Sequence, residues 1–357
     1  LTLMSESLRN DGRVWVPRDP DEGREPQEVP EAERYYFLEE RYPRFGNLVP
    51  RDVASRAAKI VCDDGLGVGP TGRAVYLDFR DAIAERGAHA IEERYGNLFE
   101  MYERITGASP WSTPMMIYPA PHYSMGGLWV DYELQTTIPG LFAIGEANFS
   151  DHGANRLGAS AMMQCLADGY FIAPHTVTNF VSGISDRVST GDPAFETAER
   201  DVRERVDRLL GVGGKTPQTV FHRELGEVML DRCGITRDAE GLRGALGKVR
   251  EIRDAFWSDL RIEPGDQGIN QTLENASRIS DFLELAELMC HDALMREESC
   301  GCHLREEHQT DEGEAVRDDK RFANVQVWEW QGEGEQPTVA TEDLRFEHIE
   351  PVTRDYR

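Results

Sequence analysis

Long apolar runs are missing from this chain, and so are a signal peptide and any lipid-anchor motif. A bilayer-spanning helix needs about 20 consecutive apolar residues, so no direct membrane insertion is expected. Basic residues are in deficit: 39 Lys+Arg stand against 65 Asp+Glu, for a formal charge of -26. Such a field repels phosphate backbones and anionic lipid, which excludes nucleic acid as a partner. The imbalance fits either a well-solvated acidic surface or a host with a salty cytoplasm, where self-repulsion is screened. Cysteines are scattered at positions 62, 165, 233, 290, 300 and 302, without the dense framework of a small secreted domain. A reducing cytosol is therefore expected. Internal repeats, low-complexity tracts and a Gly-x-Gly-x-x-Gly fingerprint are also absent. Cys300, Cys302 and His303, with Cys290 and His291 upstream, suit no common zinc spacing, so no metal is expected.

What remains is a chain of 357 residues with 39% hydrophobic and 29% charged content, enough for two or more domains with ordinary cores. It opens at Leu1 inside a running pattern, so a longer polypeptide is expected. Residues 17–34, rich in Pro, Asp, Glu and Arg, read as a solvated loop. Val53, Ala57, Ile60 and Val61 recur at helical spacing, and the glycines of 65–72 end that helix. Residues 74–79 alternate like a strand, and a helical run covers about 81–106. Short strands at 128–130 and 141–144 precede a helix from about Ala159 to Ile172, the order of a nucleotide-binding half-domain. Amphipathic runs at about 194–210, 217–232, 238–260 and 270–297 predict a helical bundle, and 323–330 predicts a strand.

Several residues suit particular chemistry. Arg156 stands just before Leu-Gly-Ala-Ser, where a guanidinium could grip a carboxylate with two parallel hydrogen bonds; pairing with a neighbouring acid is the plainer role. Gly158-Ala-Ser160-Ala161 places small residues at a helix N-terminus, which favours negative charge or, equally, close packing on a sheet. Glu146 closes an apolar stretch, where a carboxylate can accept hydrogen bonds from ribose or ribityl hydroxyls. His122 precedes Met125-Gly126-Gly127, and paired glycines let a flat cofactor approach the backbone. Arg51 opens a helix, an awkward place for a cation beside the dipole, unless Asp52 accounts for it.

Taken in order, five blocks resemble the flavoprotein subunits of succinate dehydrogenase and fumarate reductase. They are Met4-Ser-Glu-Ser-Leu-Arg-Asn-Asp-Gly12, Val49-Pro-Arg-Asp-Val-Ala-Ser-Arg56, His122-Tyr-Ser-Met-Gly-Gly127, Ile138-Pro-Gly-Leu-Phe-Ala-Ile-Gly-Glu146 and His152-Gly-Ala-Asn-Arg-Leu-Gly-Ala-Ser160. The resemblance implies a multidomain α+β and α/β architecture: a capping domain over 1–118, the return of a Rossmann-like FAD-binding domain over 119–175, a helical domain over 176–300 and a small C-terminal domain over 301–357. It implies FAD as cofactor, held by Glu146, Ser160 and Ala161. Arg156 and His122 resemble the residues that hold substrate carboxylates, with Ser5 and Glu6 alongside. Arg51 resembles the arginine that passes the proton, with Glu6 a plausible relay because a guanidinium stays protonated near neutrality.

The implied reaction is oxidation of succinate to fumarate. Implied partners are an iron–sulfur subunit and a membrane-anchor cytochrome b subunit, giving a peripheral place on the cytoplasmic face of the inner membrane. The family's flavin-linking histidine and a substrate histidine upstream of Ser5 are not present, and both are expected before Leu1; the isolated stretch is expected to be inactive. Cys300 stands where many relatives have Arg. Alternatives are fumarate reductase, L-aspartate oxidase, which shares the His-Gly-Ala-Asn-Arg block, and a non-catalytic module that binds an iron–sulfur partner.

Overall fold

A computed structural model describes all residues except 1, 4–5, 150–151, 186–188, 264, 266–267, 312, 333–334 and 353–357. The chain divides into two compact units, residues 1–124 with 349–357, and residues 125–348.

The first unit is built on β1 (Thr2–Leu3), α1 (Glu6–Arg9), β2 (Arg13–Pro17), β3 (Arg34–Tyr35), α2 (Phe37–Arg41), α3 (Arg51–Val61), β4 (Val75–Asp78), α4 (Arg80–Arg86), α5 (Ala88–Thr106), β5 (Met115–Ile117) and β6 (Ala120–Pro121). Four strands form an antiparallel sheet in the order β3-β2-β4-β5, with Val14 opposite Leu77 and Val75 opposite Ile117. The alternation expected at 74–79 is thus a central strand. Val14, Val16, Val75 and Leu77 share one core with Val53, Ala54, Ala57, Ala58 and Val61 of α3. Ile60, at the edge of the same helical stripe, stays partly in solvent. On another part of the sheet, buried Trp15 packs with Val29 and Tyr36 and donates from its indole to Asp78 at 3.3 Å. Val29 makes the acidic 17–34 segment more than a solvated loop, since it covers Trp15. The helical run at 81–106 is two helices, divided at Gly87, whose φ of +84° ends α4.

In the second unit follow α6 (Ser160–Ala167), α7 (Ala173–Gly183), α8 (Pro193–Gly211), β7 (Thr216–Pro217), α9 (Gln218–Arg232), α10 (Ala239–Asp259), β8 (Leu260–Arg261), α11 (Gln271–Met295), α12 (Asp319–Phe322), β9 (Asn324–Glu329) and β10 (Thr338–Asp343). The four helices expected beyond Pro193 are present as α8 to α11, within three residues of their expected ends. Their apolar faces meet in a core of Leu209, Phe221, Leu225, Val249, Ile252, Phe256, Ile279 and Leu283. Asp192, Asp238 and Asn270 cap α8, α10 and α11 by accepting backbone N–H bonds, which fixes where each begins. The strand expected at 323–330 is β9, paired antiparallel with β10, and Trp328 ties it to α11 by donating to Asp292 at 2.8 Å.

Residues 128–130 and 141–144 differ from expectation. Leu128 makes one parallel bridge to Asn148, and Phe142 one antiparallel bridge to Gln135. A strand becomes regular only when neighbours take its N–H and C=O groups, and among the described residues these segments find single partners. No described helix is long and apolar enough to cross a membrane.

Candidate functional site

In the first unit, α3 begins at Arg51, which is half-buried behind Pro50. The expected neighbour Asp52 is buried and ion-paired with Arg56, four residues on, at 3.2 Å. The lead-in to α3 is stitched to α1. Arg9, 1% exposed, donates to the carbonyls of Val49 at 2.8 Å and Asn47, and the Asn47 amide donates back to Arg9 O at 2.6 Å and Gly12 O at 2.7 Å. Glu6 opens α1, three residues before Arg9, so the helix that carries Glu6 and the turn that carries Arg51 are locked together; Ser5 lies outside the described residues. Arg9 was not legible as a site residue: in sequence it is one arginine among many. Pairing of Leu3 with Ala120 and of Thr2 with Pro121 brings in the third segment. Exposed His122 leaves this ladder at the end where β1 starts, whereas Glu6 lies beyond the other end.

In the second unit, Gly127 presses against backbone. A Cβ built there would lie 2.5 Å from Asn148 O and 2.6 Å from Ala147 O, so only glycine fits. Leu128 N–H donates to Ala147 O at 2.9 Å, and Phe149 N–H to Leu128 O at 2.9 Å. Glu146 sits exposed on the short turn Gly145–Ala147. That turn is held from behind by buried Asp168, which accepts from Gly145 N–H at 2.9 Å and the Asn148 amide at 3.4 Å. Asn148 in turn accepts from Gln164 of α6 at 3.1 Å. Asp168 heads a widened π turn, Asp168–Ile172, after α6. Its sequence signal was an acid within a run of small and apolar residues, where a carboxylate needs a partner.

The turn bearing Glu146 therefore lies against α6, whose first residues are Ser160 and Ala161. Ala159 just before them has φ +63°, uncommon for a residue with a Cβ, and no side chain caps the helix. Ser160 donates to Leu157 O at 2.8 Å. Arg156, 5% exposed, donates from its backbone to the Met125 sulfur at 3.1 Å and from Nη1 to Leu157 O at 3.1 Å. Met125 thereby ties the start of this unit, just before Gly127, to the His152–Ser160 block. Glu146, Arg156, Ser160 and Ala161 all belong to this unit, and Glu6, Arg51 and His122 to the other.

Two sequence profiles match the chain. One, described as FAD binding domain, covers residues 1–162, and the other, described as Fumarate reductase flavoprotein C-term, covers residues 222–356. FAD is thus the cofactor. The residues present fit it: Gly127 held flat against a neighbouring turn, an exposed acid on that turn, and a helix start of small residues that no side chain caps. The class is an FAD-binding flavoprotein of mixed α/β, multidomain fold.

The succinate dehydrogenase flavoprotein subunit of Bacillus subtilis is 33% identical over 359 residues, 100% of this chain and 57% of that relative. The fumarate reductase flavoprotein subunit of a Serratia strain is 30% identical, over 99% of this chain and 57% of its own length. A solved quinol-fumarate reductase with menaquinol molecules superposes with a TM-score of 0.81 at 26% identity, over 98% of this chain and 58% of that one. The chain belongs to the flavoprotein family of succinate dehydrogenase and fumarate reductase, and spans a little over half the length of these relatives.

Proposed function

We propose that the protein containing this chain oxidises succinate to fumarate and passes the electrons through an iron–sulfur subunit and a cytochrome b anchor subunit to a quinone. The observation that carries this reading is the Arg9–Asn47–Val49 lock, which fixes the lead-in to Arg51 beside the helix opened by Glu6. FAD, when bound, supplies the two-electron oxidation. Arg156 and His122 hold the two carboxylates, the first through a planar fork suited to bidentate contact. Arg51, which stays protonated near neutrality, gives one of its own protons to Glu6 as it takes the proton released from carbon, so that its charge is restored and the carboxylate ends as the acid, with Ser5 alongside. Glu146, Ser160 and Ala161 hold the flavin. A finer partition goes with this reading: capping domain 1–118, returning FAD-binding domain 119–175, helical domain 176–300 and small C-terminal domain 301–357. Partner subunits would keep the protein peripheral on the cytoplasmic face of the inner membrane.

The test is succinate oxidation by the natural protein and its variants. Arg51→Lys is expected to lower kcat by roughly 10²–10⁴-fold, the usual worth of a positioned proton carrier, with succinate binding nearly intact. Arg156→Ala is expected to weaken dicarboxylate binding by roughly 30-fold or more, about 2 kcal/mol for a lost charge-assisted contact. Normal turnover by Arg51→Lys would remove Arg51 from the proton path. Faster reduction of fumarate than oxidation of succinate would assign the reverse direction, and turnover of L-aspartate without succinate would replace the reading by an oxidase.

A further inference from the structure

Residues 298–305, which the proposed reaction does not use, form a braced turn. Cys300 N–H donates to His303 O at 2.9 Å, and His303 N–H returns a bond to Cys300 O at 3.0 Å. Its base is fixed on three sides. Ser299 Oγ donates to Arg305 O at 3.0 Å and accepts from Arg305 N–H at 2.8 Å. The Arg305 guanidinium donates to Ala293 O at 3.0 Å and Leu294 O at 3.2 Å, at the end of α11. The His303 ring is engaged at both nitrogens: Arg237 can only donate, so Nδ1 accepts from it at 2.6 Å, and Nε2 donates to Arg296 O at 2.9 Å.

The tip of this turn rests on the loop that carries Arg156. Cys302 N–H donates to Ala154 O at 2.9 Å, and the Cys302 thiol donates to Asn155 Oδ1 at 3.3 Å. At Gly301, where φ is +59°, a Cβ would lie 2.2 Å from Ala154 O and 2.5 Å from its carbonyl carbon. No side chain can enter that contact without moving the loop. From another direction the loop is held by the bond between Arg156 N–H and the Met125 sulfur.

We infer that Gly301 and Cys302 are positioning residues for Arg156, setting dicarboxylate affinity by fixing the Ala154–Arg156 backbone from the turn that follows α11. This rests on the reading of Arg156 as a carboxylate holder. A charged fork must be placed to within a fraction of an ångström to give its full affinity, so a displaced loop acts on binding before it acts on chemistry.

The experiment uses the complete natural enzyme and malonate, a dicarboxylate that it cannot oxidise. Malonate binding is measured by titration calorimetry for wild type, Gly301→Ala, Cys302→Ala, Cys302→Ser and Arg156→Ala, with flavin content and the succinate KM and kcat recorded in parallel. Gly301→Ala is expected to weaken malonate roughly 10-fold or more and raise KM by a similar factor, with kcat at saturation and flavin content within about twofold of wild type. Cys302→Ala is expected to lose roughly 3–10-fold, about the worth of one hydrogen bond, and Cys302→Ser to recover it, since a hydroxyl also donates to Asn155 Oδ1. A merely structural defect would instead lower flavin content and kcat at unchanged KM and would not be rescued by serine. If Gly301→Ala does not fold, the Cys302 pair decides. Wild-type malonate affinity in Gly301→Ala and Cys302→Ala, with binding lost in Arg156→Ala, overturns the positioning role alone. Unchanged affinity in Arg156→Ala overturns the carboxylate role on which it rests.

Discussion

Two residues, buried Arg9 and half-buried His303, show how much is decided by partners rather than by residue type. Arg9 is charged and nearly inaccessible, yet its fork is spent on the backbone carbonyls of Asn47 and Val49, which makes it a fastener between α1 and α3. His303, in a cysteine- and histidine-bearing segment that invites a metal reading, has both ring nitrogens committed to Arg237 and Arg296. Burial and the nearby Arg237 charge lower its pKa to about 3. The ordinary value is 6.5, so the unfolded chain binds more protons than the folded one between those two values. The His303 contribution to stability is therefore complete above about pH 6.5 and is lost as pH falls toward 3, by on the order of 5 kcal/mol in total. His303→Gln, which can accept from Arg237 and donate to Arg296 O without titrating, is expected to flatten the loss of unfolding free energy between pH 6.5 and 4.5. Equal acid dependence in denaturant melts of the two proteins would contradict this. His122, Arg156 and Arg51 became candidates because they stand in blocks that resemble those of a known family, whereas Arg9, Asp168 and His303 act through contacts distant in sequence.

At the scale of elements, hydrophobic period was the dependable signal where an element packs against others of this chain. The helices α8 to α11 and the strands β4 and β9 follow from it, and capping by Asp192, Asp238 and Asn270 sharpens three of the helix starts. Leu283 of α11 lies fully buried in the core that α8 to α11 share. Leu283→Ala is expected to cost about 2–5 kcal/mol, the range for a large-to-small change in a closed core, read as a lower denaturation midpoint at an unchanged m-value. A cost under about 1 kcal/mol would mean that the bundle repacks around the gap. Periodicity failed at 81–106, where the pattern ran through Gly87, and at 128–130 and 141–144, where apolar residues predicted strands that find only single bridging partners. The cluster of Gly127, Gly145–Ala147, Asp168 and α6 is held instead by hydrogen bonds of the Asp168, Asn148 and Gln164 side chains, which have no period to read.

Over the whole molecule, charge is the dominant fact. The formal charge of -26 is opposed locally by many ion pairs, and arginine supplies nearly all their cations, as in the Arg250 and Arg253 pair on Glu287 at 2.7 and 2.6 Å. Residual repulsion is long-ranged and is screened within about 3 Å at molar salt. Thermal stability is therefore expected to rise from dilute buffer to about 1 M NaCl, whereas no gain in the melting temperature would mean that the local pairs already balance the field. Sequence by itself determined the acidic solution behaviour, the helical bundle and the family, because composition, period and ordered motif blocks are properties of the chain read linearly. Tertiary structure alone decided that Arg9 locks the lead-in to Arg51, that Asp168 carries the turn of Glu146, and that Gly301 and Cys302 rest on the loop of Arg156. The physical reason is that each is a close contact between segments tens to more than a hundred residues apart, where burial and hydrogen-bond geometry, rather than residue identity, fix the role.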